Sequence, residues 1–398
     1  MDLKGLHELS ASATARLIRE GAISSEQLVE ACLARVRERD AQVQAWSFLD
    51  PDHALGQARS ADQWRLSGQP IGPLHGVPIG VKDIFDTADM PTENGCVLHA
   101  GRTPSRDAAA VAALRGAGAV IMGKTVTTEL ATYTAGKTRN PHDSEHTPGG
   151  SSSGSAAAVA AGMVPLAIGS QTNGSVIRPA SFCGVYGFKP THGLIPRAGV
   201  LALSRALDQV GVFARTIEDV ALLTEQLVGY DERDPDTRPR ARIPFVEVAA
   251  EEPPLPPMFA FVKTPRWDRV DGDAREAFAE LTDHLGDRVE ELELSDASDL
   301  ALEWHRVIME ADMAASFRRE WEEGRSRLSP SLYAQRERGR AVRALDYLRA
   351  LAGIPALNES FAELFAQRYD AILTPAAAGT APKGLDSTGD PSFCTLWT

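Results

Sequence analysis

The stretch 147–190 reads TPGGSSSGSAAAVAAGMVPLAIGSQTNGSVIRPASFCGVYGFKP. Three serines, Ser151, Ser152 and Ser153, stand between Gly149-Gly150 and Gly154. Small residues follow, then an apolar strand-like run from Val164 to Ile168, then a second turn-rich loop, Gly169 to Gly174, that ends in Ser175. Loops this rich in glycine are costly to order, because glycine loses more backbone freedom than any other residue. Their backbone is therefore expected to have a task. Around Gly169–Ser175 the backbone N–H groups can turn toward one point, and a helix beginning at or just after Ser175 would add its own free N–H groups. Such a point stabilises the negative charge of a tetrahedral acyl-transfer intermediate, and a serine at its edge can attack a carbonyl. The alternatives are two ordinary Ser/Gly turns or a phosphate-binding loop. The chain has no G-x-x-x-x-G-K-[ST], which removes the Walker form of the latter.

A serine nucleophile needs a base. The histidines nearest the loops, His142, His146 and His192, form no recognisable Ser-His-Asp motif. Lys82 is the other candidate. It ends the apolar run Val77–Val81 in GVPIGVKDIFDT. A lysine buried at a strand end has its pKa pulled from about 10.4 toward about 7 to 8, where it serves as a neutral base. The competing reading has Lys82 reaching solvent or pairing with Asp83.

Taken together, GVPIGVKDIFDT and the glycine-serine core resemble the amidase signature family, with the likeness running from about residue 8 to the end of the chain. The GSVIRP variant and the STGDP-x-x-x-x-LWT ending are most similar to bacterial malonamidase-type members. The resemblance implies an α/β fold with a large mixed β-sheet covered by helices on both faces. It also implies hydrolysis of carboxamides through a Ser-Ser-Lys triad without metal or cofactor. Matched by motif, Ser175 is the nucleophile, Ser151 the bridging serine after a cis Gly150–Ser151 peptide, and Lys82 the base. The backbone N–H groups of Thr172, Asn173, Gly174 and Ser175 match the oxyanion hole. The chain departs from the commonest pattern at Gln171, usually Asp, at Asn173, often Gly, and at Ser153, where many relatives have Gly. Arg178 matches an arginine that holds a substrate carboxylate in malonamidase-like relatives. From its position alone it is equally an arginine that ties down loop carbonyls.

The 398 residues are 43% hydrophobic and 24% charged, ordinary proportions for a globular domain. A net charge of −13 argues against nucleic acid or an anionic membrane as main partner. The N-terminus carries no signal-peptide pattern, and no apolar run is long enough for a membrane span. The four cysteines, Cys32, Cys96, Cys183 and Cys394, form no CxxC pair and read as reduced thiols of a cytoplasmic protein.

Apolar spacing predicts helices over 8–20, 25–39 (with Ser24 and Gln27 as a capping box), 51–67, 107–118, 125–131, 216–228 and 272–285. Strands are predicted over 77–81, 120–122, 259–262, 289–294 and 371–375. The proline- and charge-rich stretch 230–257 reads as an exposed connection within one domain spanning 1–398. From Leu300 to Arg368 the chain reads as helical. Trp304, Ile308, Phe317 and Trp321 are candidates for a pocket wall or for its core, and Arg336, Arg338, Arg340 and Arg343 read as a solvated helix face. Relatives continue past the Leu396-Trp397 ending with further strands, so the reading expects a shortened chain with an uncovered sheet edge that invites association, such as a homodimer. Three functions compete: an amidohydrolase acting on a small carboxamide, malonamate-like in its finer form; an amidotransferase A-type subunit of the same family; and a truncated, inactive member.

Overall fold

The computed structural model describes residues 5–294 and 297–398. Its centre is a six-stranded mixed sheet. In chain order the strands are β1 (Trp46–Leu49), β2 (Pro78–Lys82), β3 (Val120–Thr125), β4 (Leu166–Gln171), β5 (Tyr186–Phe188) and β6 (Gln209–Ala214). Their spatial order is β1-β3-β2-β4-β6-β5. β2 lies between β3 and β4 and runs parallel to both, while β1, β5 and β6 pair antiparallel with their neighbours. Every residue of β2, β3 and β4 is buried, which is why these strands read as unbroken apolar runs without alternation. β1, β5 and β6 were not predicted. β1 and β5 are only four and three residues long, and each holds too little pattern for a period to show.

Helices cover both faces. One core packs Leu28, Val29, Cys32 and Leu33 of the helix Ser25–Val43 with the helix Ser153–Ala160. The other packs Val111 and Leu114 of Ala109–Gly116 with Leu223 and Leu227 of Ile217–Leu227. The predicted capping box is present: Ser24 accepts from the Gln27 amide, and Gln27 accepts from the Ser24 amide. The serine- and alanine-rich helix Ser153–Ala160 is buried along nearly its whole length. A Cβ at Gly154 would lie 2.3 Å from both the Ala45 carbonyl oxygen and the Val126 nitrogen. The run of small residues therefore lets a helix press directly onto backbone.

A second, smaller sheet of three parallel strands, β7 (Phe259–Val262), β8 (Val289–Leu292) and β9 (Ala371–Leu373), has the order β8-β7-β9. The helix between β7 and β8 spans Gly272–Leu285, as predicted. The predicted helix at 125–131 is instead the end of β3 followed by a single 3-10 turn, Glu129–Ala131. The connection 230–257 carries one short helix, Phe245–Ala250.

The helical layer comprises Ala297–Ser316, Arg318–Gly324, Pro330–Ala341 and Ala344–Gln367. Ile308 and Phe317 are buried in its core, and Trp304 packs against that core. The arginine cluster is not uniformly solvated: Arg336 is buried with its guanidinium 4.0 Å above the Trp321 ring, while Arg343 is exposed and paired with Asp346. The final residues fold inward. Phe393, Cys394 and Leu396 are buried, and the Trp397 ring lies 5.2 Å from that of Phe361. No described helix is long and apolar enough to cross a membrane.

Candidate active site

β2 delivers Lys82 into the interior, where its side chain is fully buried. Its Nζ is 2.7 Å from Ser151 Oγ and 2.9 Å from Ser170 Oγ. Burial pushes the ammonium down to about 7, and the nearby Asp208 carboxylate opposes that shift. Asp83, the neighbour that might have been its partner by sequence, instead faces Lys124 at 3.5 Å. Adjacent residues in an extended chain point to opposite sides, so Lys82 is left among hydroxyls.

Ser151 follows a cis peptide bond to Gly150. Ser152 knits the two serine loops together: its hydroxyl donates to the Ser170 carbonyl and accepts from the Ser170 amide. Ser175 closes the second loop, two residues before the helix Ile177–Cys183. Among the described residues its hydroxyl has no hydrogen-bond partner, and the amides of Thr172, Asn173, Gly174 and Ser175 donate to no protein acceptor. Four undirected N–H groups beside a free hydroxyl form an acceptor-hungry corner.

The loop between β4 and that helix is held by its side chains. The Thr172 hydroxyl donates to Asp208 at 2.6 Å, and the Thr172 carbonyl accepts from His305 Nε2 at 2.7 Å. Burial holds His305 neutral, with its pKa lowered to about 4. Asn173 donates to the Tyr133 hydroxyl and accepts from Thr395. Gln171 accepts from the amides of Val176 and Ile177 and donates to Thr398. A glutamine here caps the following helix as an aspartate could, and its side-chain nitrogen reaches the end of the chain. Gly174 takes φ +80, and a Cβ there would sit 2.9 Å from that of Cys394.

Arg178 is 1% exposed. Its Nη2 donates to the Gly150 carbonyl at 2.7 Å and to Thr388 Oγ1, and its Nε donates to the Thr388 carbonyl. Among the described residues Nη1 is buried without a partner. The guanidinium thus ties the peptide before Ser151 to the C-terminal segment and keeps one nitrogen uncommitted.

The structure therefore brings Lys82 and Ser151 into contact and sets Ser175 at the edge of the free N–H cluster. Sequence reasoning missed Ser170, Asp208, His305, Tyr133 and the Thr388/Thr395 pair. Ser170 alone left a signal, since it sits just past an apolar run beside the second loop. The others arrive from distant segments. The cleft at Ser175, walled by Ala131, Tyr133, Met309, Met313 and Gln335, holds only about 10 Å³. It abuts a cavity of about 220 Å³ that shares Tyr133, Asn173 and Met309 with it.

Comparison with known proteins identifies the family and the fold. The amidase family model matches residues 27–397. The chain is 42% identical over 240 residues to the A-type subunit of the glutamyl-tRNA(Gln) amidotransferase from Chloroflexus aggregans, an overlap covering 59% of this chain and 49% of that protein. It thus spans about half the length of that curated relative. Among solved structures, the 6-aminohexanoate cyclic dimer hydrolase superposes with a TM-score of 0.83 at 26% identity, covering 96% of this chain and 81% of that one. The peptide amidase of Stenotrophomonas maltophilia superposes with a TM-score of 0.80 at 27% identity, covering 98% and 88%. With a glycine-serine core on a mixed sheet, and with a family match over almost its entire length, the chain belongs to the amidase family.

Proposed function

We propose that the protein hydrolyses small carboxamides to carboxylate and ammonia through an acyl-enzyme on Ser175. One observation carries this reading: a fully buried lysine, with its pKa lowered to about 7, touches Ser151 beside a loop of four unpaired N–H groups ending in Ser175. Neutral Lys82 takes a proton from Ser151, which takes one from Ser175 as the Ser175 Oγ attacks the amide carbon. The developing oxyanion is met by the amides of Thr172, Asn173, Gly174 and Ser175, donors in a largely buried site. The proton returns through Ser151 to the leaving nitrogen, the C–N bond breaks, and ammonia departs. Water then attacks the ester by the same relay and frees Ser175. These steps need no cofactor or metal.

In the finer, malonamidase-like reading, a carboxylate next to the scissile amide meets Arg178 Nη1, the nitrogen left without a partner. The test is ammonia release from malonamate, malonamide, acetamide and a longer aliphatic amide, beside Ser175→Ala. Release that vanishes in the variant is expected, and retained release there refutes the nucleophile assignment. Selective loss of malonamate turnover in Arg178→Ala supports the finer reading.

The identity to the amidotransferase component supports a second reading, a protein that supplies ammonia to a partner. A chain inert toward free amides that recovers a tRNA-dependent partner in a pull-down would favour it. A protein acting alone, in the cytoplasm, as monomer or homodimer, is the arrangement the first reading proposes.

A further inference from the structure

The cavity adjoining the Ser175 cleft is lined by Tyr133, Asn173, Arg266, Arg306, Glu310 and Thr395. Its charges are unequal. Glu310 is buried and paired twice, with Arg306 at 2.8 Å and Arg338 at 2.5 Å, and Arg306 also binds Glu303. Asp390, just outside the lining, is paired with Arg269. Arg266 has no acidic partner among the described residues, and its Nε is buried without a hydrogen bond. The four guanidinium groups and three carboxylates so named leave one positive charge in excess, and the uncommitted one is Arg266. An arginine fork that no carboxylate among the described residues occupies, beside the loop that carries the free N–H groups, is suited to a planar anion.

We infer that Arg266 receives an anionic group on the substrate, remote from the scissile amide, so that the favoured substrates are amides of longer dicarboxylic acids. The inference rests on the hydrolytic reading of Ser175. It also separates two roles. Arg178, buried against Gly150 and Thr388, is placed for a carboxylate adjacent to the reacting carbon. Arg266, reached through the wider cavity past Tyr133 and Asn173, is placed for one several atoms further out.

The experiment compares kcat/KM for glutaramate and for pentanamide, its uncharged counterpart, in the wild-type protein and in Arg266→Gln and Arg266→Lys. The wild type is expected to prefer glutaramate. The Gln variant should lower the glutaramate-to-pentanamide ratio on the order of ten- to a hundredfold, mainly through KM, as loss of a charge-assisted contact predicts. The Lys variant should keep part of the preference. An unchanged ratio in Arg266→Gln overturns the inference. So does a wild type that makes no distinction. Inhibition of pentanamide hydrolysis by glutarate needs no variant: it should be competitive and weaken with added salt, and indifference to glutarate counts against the proposal. Ammonia release from neither of these amides nor from malonamate, malonamide or acetamide sinks the hydrolytic reading itself, whereas turnover of any of them without charge preference between glutaramate and pentanamide sinks only the role of Arg266.

Discussion

Replacing Lys82 by methionine should abolish turnover and remove from the folded state a burial cost that depends on pH. The lysine titrates near 7 in the folded protein against an ordinary 10.5. Between those values the unfolded chain holds the proton more often than the folded one, so stability rises with pH. With about 1.4 kcal/mol per pKa unit, the burial penalty is about 4 kcal/mol at pH 7 and falls to roughly 1.4 kcal/mol at pH 9.5. Lys82 therefore accounts for about 3 kcal/mol of wild-type stability gained over that interval. Because the side chain is fully buried, solvent does not dilute the effect. The methionine fills similar volume but leaves Ser151 and Ser170 without their shared partner, which returns about 1–3 kcal/mol per stranded hydroxyl. The two stranded hydroxyls roughly offset the relieved penalty at pH 7 and outweigh it at pH 9.5, so the pH slope rather than the absolute change is diagnostic. Urea unfolding of both proteins at pH 7 and pH 9.5 measures it. Lys124 and Lys189, also lowered to about 8, titrate in both proteins and cancel in the comparison. Parallel pH dependence in wild type and Lys82→Met would refute the argument that Lys82 is buried in its neutral form.

Other outcomes follow from the same geometry. Wild-type turnover should rise with pH through about 7, as Lys82 loses its proton and becomes a base. Asp208→Asn removes the carboxylate that favours the Lys82 ammonium and accepts from Thr172, so the rising limb should move to lower pH while the rate falls. Gly174→Ala strains a residue at φ +80 and drives a methyl toward Cys394. Turnover should drop on the order of a hundredfold, as for a lost oxyanion donor, with a smaller change in KM. Arg178→Ala frees the Gly150 carbonyl and Thr388. It should slow every amide, measured by ammonia release, in addition to any selective effect on malonamate.

By itself the sequence determined the chemistry-bearing pieces: two glycine-serine loops set 24 residues apart at Ser151 and Ser175, a lysine ending an apolar run, and most helices and central strands. These are local properties, written in spacing, in small residues and in runs of apolar side chains. Tertiary structure decided what the pieces touch. That Lys82 meets Ser151 and Ser170, with Asp83 turned to Lys124, depends on β2 lying between β3 and β4 with both parallel to it. Pairing of strands about forty residues apart, for β2 with β3, and nearly ninety apart, for β2 with β4, leaves no local periodicity. Asp208, His305 and Thr395 hold the oxyanion loop from segments far along the chain, and Arg178 finds Thr388 across 210 residues. That Arg266 has no acidic partner among the described residues is likewise a property of the folded molecule alone. Whether a charge is matched depends on which acids other arginines have already taken, and Glu310 is taken by Arg306 and Arg338.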